Sequence, residues 1–344
     1  MKIIRLFLLF LLLTFQSCSG QNQNKNKTVR YVFVANWNLE NLFDTKDDPK
    51  TNDEEFLPDG SKHWTEKRLD KKISHLAMVL QYMNENKGPD LLGVEEVEHK
   101  NLLERIIKNT SGKKYKIAYA ESPDHRGIDV GLIYNSDIFK LSDVEPIKVV
   151  LPNHRETRYI LHVTLNFNNQ PIHVFVNHWP SRREGLKKSE PNRIAAATTL
   201  LKEIEKLYKN DSQVKIFVIG DFNDLPANIS ISKVLRSGIA KCNSKVQNGL
   251  LMVNLAYPLF KKGKGSYKYR DHWNMLDQIL VSKSIFERNN FNYVCGSFEI
   301  IKPPFMISHS RRWEGTPFPT YGGRTYLGGF SDHFPVGALF EIQK

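Results

Sequence analysis

Nine short apolar runs, separated by turn-rich segments, constrain the fold of this chain more than any other feature. They are YVFVANW (31–37), DLLGVEEV (90–97), YKIAYA (115–120), DVGLIYN (129–135), YILHVTLNF (159–167), PIHVFVNHW (171–179), KIFVIGD (215–221), LDQILVS (276–282) and PVGALFEI (335–342). Runs this short, rich in β-branched and aromatic residues, read as strands rather than helices. Two longer stretches carry helical spacing instead: Leu69, Ile73, Leu76, Leu80 and Met83 within 66–85, and Ile194, Ala197, Leu201, Ile204 and Tyr208 within 192–208. Many strands with few helices predict a layered α/β arrangement with packed sheets inside. No solenoid period interrupts this reading. The acidic stretch DTKDDPKTNDEEFLPDG (44–60) reads as a long loop. A single domain over 31–344 is expected.

How these runs end is informative. KIFVIGD reads as a strand buried on both faces, yet it stops in Asp221, followed by Asn223 and Asp224. Asp and Asn start turns by bonding their own backbone, which is one explanation; an oxygen-rich site at the sheet edge is the other. Further strand ends repeat the pattern. Asn36, Asn38, Glu40 and Asn41 follow the first run, and Glu95, Glu96 and Glu98 the second. Asn177 and His178 close another, with Arg182 and Arg183 just beyond. Asp277 stands among apolar residues, and Asp332–His333 precede the last run.

Taken together, NWNLENLFD, GVEEV, HVFVNHW, GDFND, MLDQILVS and SDH occur in an order that resembles the DNase I-like endonuclease/exonuclease/phosphatase family, from about Tyr31 to the C-terminus. The resemblance implies a four-layer α/β/β/α sandwich of two packed mixed sheets, with a phosphoesterase site at one edge. It implies metal ligation by Asn38 and Glu96, with Asp332 as a third contributor and Glu95 as the adjacent alternative. Hard oxygen ligands suit Mg²⁺, or Mn²⁺. It also implies catalytic roles for Asp221 and Asn223 beneath the scissile phosphate, for His178 and His333 flanking it, and for Asp277 as carboxylate partner of His333. Asp129 is a candidate partner for His178. Arg158, Arg182 and Arg324 are candidate phosphate contacts.

The implied reaction is in-line attack of water on a phosphate ester, with Asp221 or the His333–Asp277 pair as base. Nucleic acid is the first expected substrate, because the formal charge is +12 and two loops mix cations with aromatics: SRRWEGTPFPTYGGRTYLGGF (310–330, with Arg312) and YKYRDHW (267–273). A phosphatase or phosphodiesterase acting on lipid headgroups or small phosphate esters is the alternative, and a non-catalytic polyanion-binding protein the second. A monomer is expected.

MKIIRLFLLFLLLTFQSCSG begins with basic residues, continues with an apolar stretch of roughly a dozen residues, and ends in small polar ones, as a signal peptide does. FQSC resembles a lipobox, so residues 1–18 are expected to direct export, Cys18 to be lipidated, and 19–30 to form a polar tether to the membrane. The expected location is the cell envelope, with a periplasmic or secreted form as the alternative. Removal of Lys2 and Arg5 leaves a formal charge of about +10. Cys242 and Cys295 then remain, either as one disulfide or as two buried thiols.

Overall fold

The computed structural model describes residues 29–343 apart from 243, 288–290 and 312. The export segment 1–18 with Cys18, the tether up to residue 28, and Arg312 lie outside the described residues.

The first half of the chain runs β1 (Val29–Leu42), α1 (Glu66–Asn86), β2 (Leu91–Val97), α2 (Lys100–Lys108), β3 (Tyr115–Tyr119), β4 (Asp129–Asn135), β5 (Lys140–Ile147), β6 (Ile160–Phe167), β7 (Gln170–His178) and α3 (Leu186–Asn210). The second half continues with β8 (Lys215–Asp221), β9 (Ser237–Gly238), β10 (Met252–Asn254), α4 (Tyr257–Lys261), β11 (Tyr267–Tyr269), β12 (His272–Asn274), β13 (Asp277–Ser282), α5 (Lys283–Phe286), β14 (Phe291–Tyr293), β15 (Glu299–Ile300), β16 (Tyr321–Gly322), β17 (Thr325–Tyr326) and β18 (Val336–Gln343). One seven-stranded sheet is ordered β14-β18-β1-β2-β4-β3 with β15 also on β18; the second is ordered β5-β6-β7-β8-β13-β10-β9. Both are mixed: β1 runs parallel to β2 and β7 parallel to β8, among antiparallel neighbours.

The two-residue side-chain period builds the layers. Val32 and Val34 of β1 join Val174, Val176, Phe217 and Ile219 of the second sheet in a core between the sheets. Their neighbours Phe33 and Ala35 face the other way, onto Leu69, Ile73 and Leu76 of α1 and Leu102 and Ile106 of α2. On the far side, Phe175, Ile216 and Val218 pack on Ala196, Ala197, Leu200 and Ile204 of α3. The result is the expected α/β/β/α sandwich. The α1 face is the predicted one, but α3 is rotated: Arg193 is fully buried while Ile194 and Leu201 are only partly so. Asp224 explains the exception, lying 2.8 Å from Nε of Arg193 and supplying the charge a buried guanidinium needs. Cys242 and Cys295 are disulfide-bonded.

Strand register brings the second sheet's polar ends to one level. His178 of β7 pairs with Asp221 of β8, and Asp221 with Asp277 of β13. Gly220 (φ 153°) makes this approach possible, because a Cβ there would collide with the Asn177 carbonyl of β7. In the first sheet, Asn38 of β1 lies opposite Glu95 of β2.

Candidate active site

These strand ends and the loops beyond them line one cleft of about 740 Å³. Glu96, His178, Asp221, Asn223, Asp332 and His333 all contribute to its wall, as do Arg126, Arg182, Arg183, Tyr267 and Arg270. Left-handed backbone is held by Glu96 (φ 62°), Asn223 (φ 49°) and Arg270 (φ 53°) of the cleft wall and by Glu40 (φ 54°) and Asn41 (φ 49°) of β1. For non-glycine residues this is a sparsely populated region that clusters where side chains must be re-aimed. At β2 the effect is direct. The pairing with β4 shifts register between Glu95 and Val97, so Glu96 reaches the cleft while Glu95 stays fully buried beneath it. Glu95 Oε2 accepts from Asn36 Nδ2 at 3.2 Å, and burial, then Asp277 and Asp221, push its carboxyl well above the ordinary range.

Asp277 Oδ2 lies 2.7 Å from Nδ1 of His333 and accepts from the Ser266 hydroxyl at 2.5 Å. Burial pushes the His333 pKa down, but Asp277, its hydrogen bond, Asp332 and Asp221 outweigh it and hold the imidazole well above its usual value. The Tyr267 ring stacks on His333 at 4.6 Å, and Trp37 Nε1 donates to the His333 carbonyl. The surroundings of His333 therefore clamp the ring and favour its protonated form. His333 Nε2 lies 4.0 Å from Asp221 Oδ2.

Asp221 Oδ2 accepts from Asn38 Nδ2 at 3.1 Å, and its Oδ1 accepts from the Asn223 backbone at 2.9 Å. Burial pushes its carboxyl up to about 6 against the pull of His333. His178 is of opposite character. Its Nε2 stands 3.8 Å from both Glu96 Oε1 and Asp221 Oδ2, and its Nδ1 has no partner among the described residues. Burial, then Arg158, Arg126, His333 and Arg183, hold it well below 6.5, so it is a neutral imidazole. Glu96 stays ionised despite burial because Arg126 faces it and the Asn41 backbone donates to it.

Several expected contacts are placed elsewhere. Asp129 accepts from the Tyr119 hydroxyl (2.8 Å) and the Ser122 backbone (2.8 Å), so it pins the segment before β4 rather than serving His178. Arg158 is buried; it donates to Asp124 at 2.8 Å and to the His178 and Trp179 carbonyls, which braces His178 from behind the cleft. Arg182 lines the cleft, but its guanidinium is committed to the Asn223 carbonyl, Asp224 and Asn228. Arg324 sits exposed in the 321–326 hairpin, outside the cleft wall. The aromatics around it are packing residues: Tyr321 contacts Phe56 and Trp64, and Phe330 stacks on His75.

Arg126, Ser266 and Tyr267 were not singled out in the sequence. Arg126 stands three residues before Asp129, in a segment whose carboxylate drew the attention, and the polarity of Ser266 carries no spacing signal.

The donor set fits a hard divalent ion. Glu96, Asp221 and Asp332 share the cleft, and burial, with Glu96 adding to it, raises the pKa of Asp332 against the pull of His333. Mg²⁺ is held by one or two carboxylates and several waters, so this all-oxygen set suits it. Asn38 departs from the expected ligand role in one respect: its Oδ1 already accepts from the Glu40 backbone, and its amide NH₂ is turned to Asp221.

A model of the endonuclease/exonuclease/phosphatase family matches residues 33–344. The chain belongs to this family. Solved structures of similar fold include an endonuclease/exonuclease/phosphatase family protein from Bacteroides thetaiotaomicron (13% identity, 92% of this chain and 96% of that one, TM-score 0.57). A mannosyl-6-phosphatase from the same organism has 14% identity over 90% of this chain and 99% of that one, with a TM-score of 0.56. The human nocturnin catalytic domain, solved with bound sulfate, has 16% identity over 93% and 98%, with a TM-score of 0.52. No curated protein sequence matches the chain.

Proposed function

We propose that the chain is a divalent-metal-dependent phosphoesterase that hydrolyses phosphate esters by in-line attack of water. The observation that carries this reading is the convergence of Asp221, Asn223, His178 and the His333–Asp277 pair on one cleft with Glu96 and Asp332. Glu96 and Asp332, with Asp221 beside them, would hold Mg²⁺ or Mn²⁺, which supplies Lewis-acid stabilisation of charge on the phosphoryl oxygens.

The protein's own groups divide the remaining work. Asp221, with a pKa of about 6, is ionised at neutral pH and is the base for the attacking water. His333, whose pKa is held well above its usual value, is the donor rather than the base: its Nε2–H donates to the phosphoryl group, where negative charge builds up in the transition state. Asp277 keeps that proton on His333. His178, neutral, orients a phosphate oxygen by hydrogen bonding rather than by charge. Asn223, held in its left-handed turn, fixes the phosphate from below.

Nucleic-acid phosphodiesters are the leading substrate class. The basic charge of the chain supports it, as do Arg183, Arg270 and the exposed Tyr269 at the cleft. A small phosphate ester is the second reading, favoured by the bounded cleft and by the packing of Phe318, Tyr321, Tyr326 and Phe330 away from it. Plasmid DNA, RNA, a sugar phosphate and a phosphoinositide vesicle, each with Mg²⁺, Mn²⁺ or EDTA, separate these. Plasmid nicking with metal supports the nuclease. Release of phosphate from the small ester without nicking moves the assignment to a phosphatase, and turnover of none of them defeats the phosphoesterase reading. Export with a lipid on Cys18 is part of the proposal, supported by the Cys242–Cys295 disulfide, which suits an oxidising compartment. The mass of the mature N-terminus tests it.

A further inference from the structure

The acidic loop 44–60 takes no part in the cleft, yet it carries a second concentration of ligand-type side chains. Asp44, Glu98 and His99 each offer an atom within 4.8 Å of the others, and no other trio of His, Cys, Asp or Glu does so among the described residues. None of the three lines the cleft. The arrangement follows from the first sheet. Leu42 of β1 pairs with Val97 of β2, so both strands leave the sheet at one point and their next residues meet. The Glu98 backbone donates to the Leu42 carbonyl (3.0 Å), and the Asp44 backbone donates to Glu98 Oε2 (2.6 Å).

The charge here is unbalanced. Glu98 is 2% exposed and Asp53 1% exposed. Asp53 Oδ2 accepts from the Asp48 backbone, while its Oδ1 is buried and has no hydrogen-bond partner among the described residues. Asp53 lies near enough for its charge to oppose ionisation of Glu98, as does that of Asp44, with His99 as the cationic counterpart. Glu121 adds a further carboxylate at the rim, 3.2 Å from His99 Nδ1. A buried carboxylate oxygen without a donor is costly unless a cation meets it.

We propose that Asp44, Glu98 and His99 form a second metal site, for a divalent transition ion such as Zn²⁺ or Mn²⁺, with Asp53 as the supporting carboxylate. An imidazole among the donors favours these ions over Ca²⁺ or Mg²⁺, which take oxygen. Ligand atoms around tetrahedral Zn²⁺ stand roughly 3.4 Å apart, so the trio needs only modest contraction, which the partly exposed His99 permits. The ion would tie the 44–60 loop to the end of β2. Just before these segments, Asn41 of β1 and Glu96 of β2 are bonded at 2.8 Å, so the site would brace the cleft from outside. This inference does not depend on the phosphoesterase reading.

The test uses the full chain carrying Glu96→Gln and Asp332→Asn, which removes the cleft's ion. After exposure to ZnCl₂ or MnCl₂ and dialysis, elemental analysis should find one equivalent retained, and Tm should be higher than in EDTA. Adding His99→Ala should weaken binding at least tenfold and leave the Tm in EDTA unchanged. Asp44→Asn, on a partly exposed residue, repeats the measurement should His99→Ala fail to fold. No retained ion, or affinity unchanged in both variants, overturns the site.

Discussion

Replacing Asp277 by Asn isolates the contribution of one negative charge. The substitution keeps the shape and an acceptor oxygen 2.7 Å from His333 Nδ1, but removes the charge that, with Asp332 and Asp221, holds the imidazole protonated against its burial. A buried charge-assisted hydrogen bond is worth about 1.5–3 kcal/mol, which corresponds to a drop of about 1–2 units in the His333 pKa. In a pH–rate profile of kcat, the alkaline limb of Asp277→Asn should therefore move down by that amount. The loss should be about tenfold to hundredfold on the alkaline limb and small at acid pH, where the ring still carries its proton. Stability should follow the same sign. The folded pKa of His333 is raised, so the bond contributes fully below the unfolded value of 6.5 and fades as pH rises through the folded value. The Tm deficit of the variant should accordingly shrink towards alkaline pH. An alkaline limb at the wild-type position would refute the imidazolium role of His333.

Three further outcomes follow from the same structure. Glu95→Gln should stay within about threefold of wild-type activity, because burial, then Asp277 and Asp221, favours the protonated form that Gln mimics, whereas Glu96→Gln should lose about a hundredfold or more; kcat under saturating Mg²⁺ distinguishes them. Lys72 donates to the Glu40 and Phe330 carbonyls and the Thr320 hydroxyl at 3.2, 2.6 and 2.5 Å and lies 3.8 Å from the Glu40 carboxylate, so Lys72→Met removes the buried counter-charge of Glu40 and leaves its carboxylate only the Thr320 and Tyr321 backbone donors. It should cost about 3–5 kcal/mol, or about 5–8 °C in Tm for a domain of this size. Arg158→Gln should lower Tm but leave KM within about twofold, since Arg158 braces His178 from behind.

The sheets and their chemistry were legible where side chains obey a period. Each of the nine apolar runs coincides with a strand; in most of them burial on two faces demands an unbroken apolar stretch, whereas β3 is a mostly unburied edge strand. β5 gave no such signal: it is an edge strand with mostly exposed side chains, held by pairing with β6. Arg193 was hidden for the converse reason, since its burial depends on Asp224, thirty-one positions away. The choice between Glu95 and Glu96 was open in the sequence because alternation cannot foresee a register shift. Arg158 and Asp129 misled because a charged residue beside a strand end is as well suited to bracing the backbone as to facing a ligand. In 310–330 composition could not tell packing from binding: Phe318, Tyr321, Tyr326 and Phe330 turn inward, while Trp313 is exposed.

The most direct measurement is hydrolysis of a chromogenic phosphodiester and its phosphomonoester counterpart by the wild-type chain and by Asp221→Ala, each with Mg²⁺ and with EDTA. The account predicts metal-dependent turnover of at least one ester, abolished by EDTA and reduced by several orders of magnitude in Asp221→Ala with its Tm retained. Equal turnover by the two proteins, or turnover indifferent to EDTA, would contradict it.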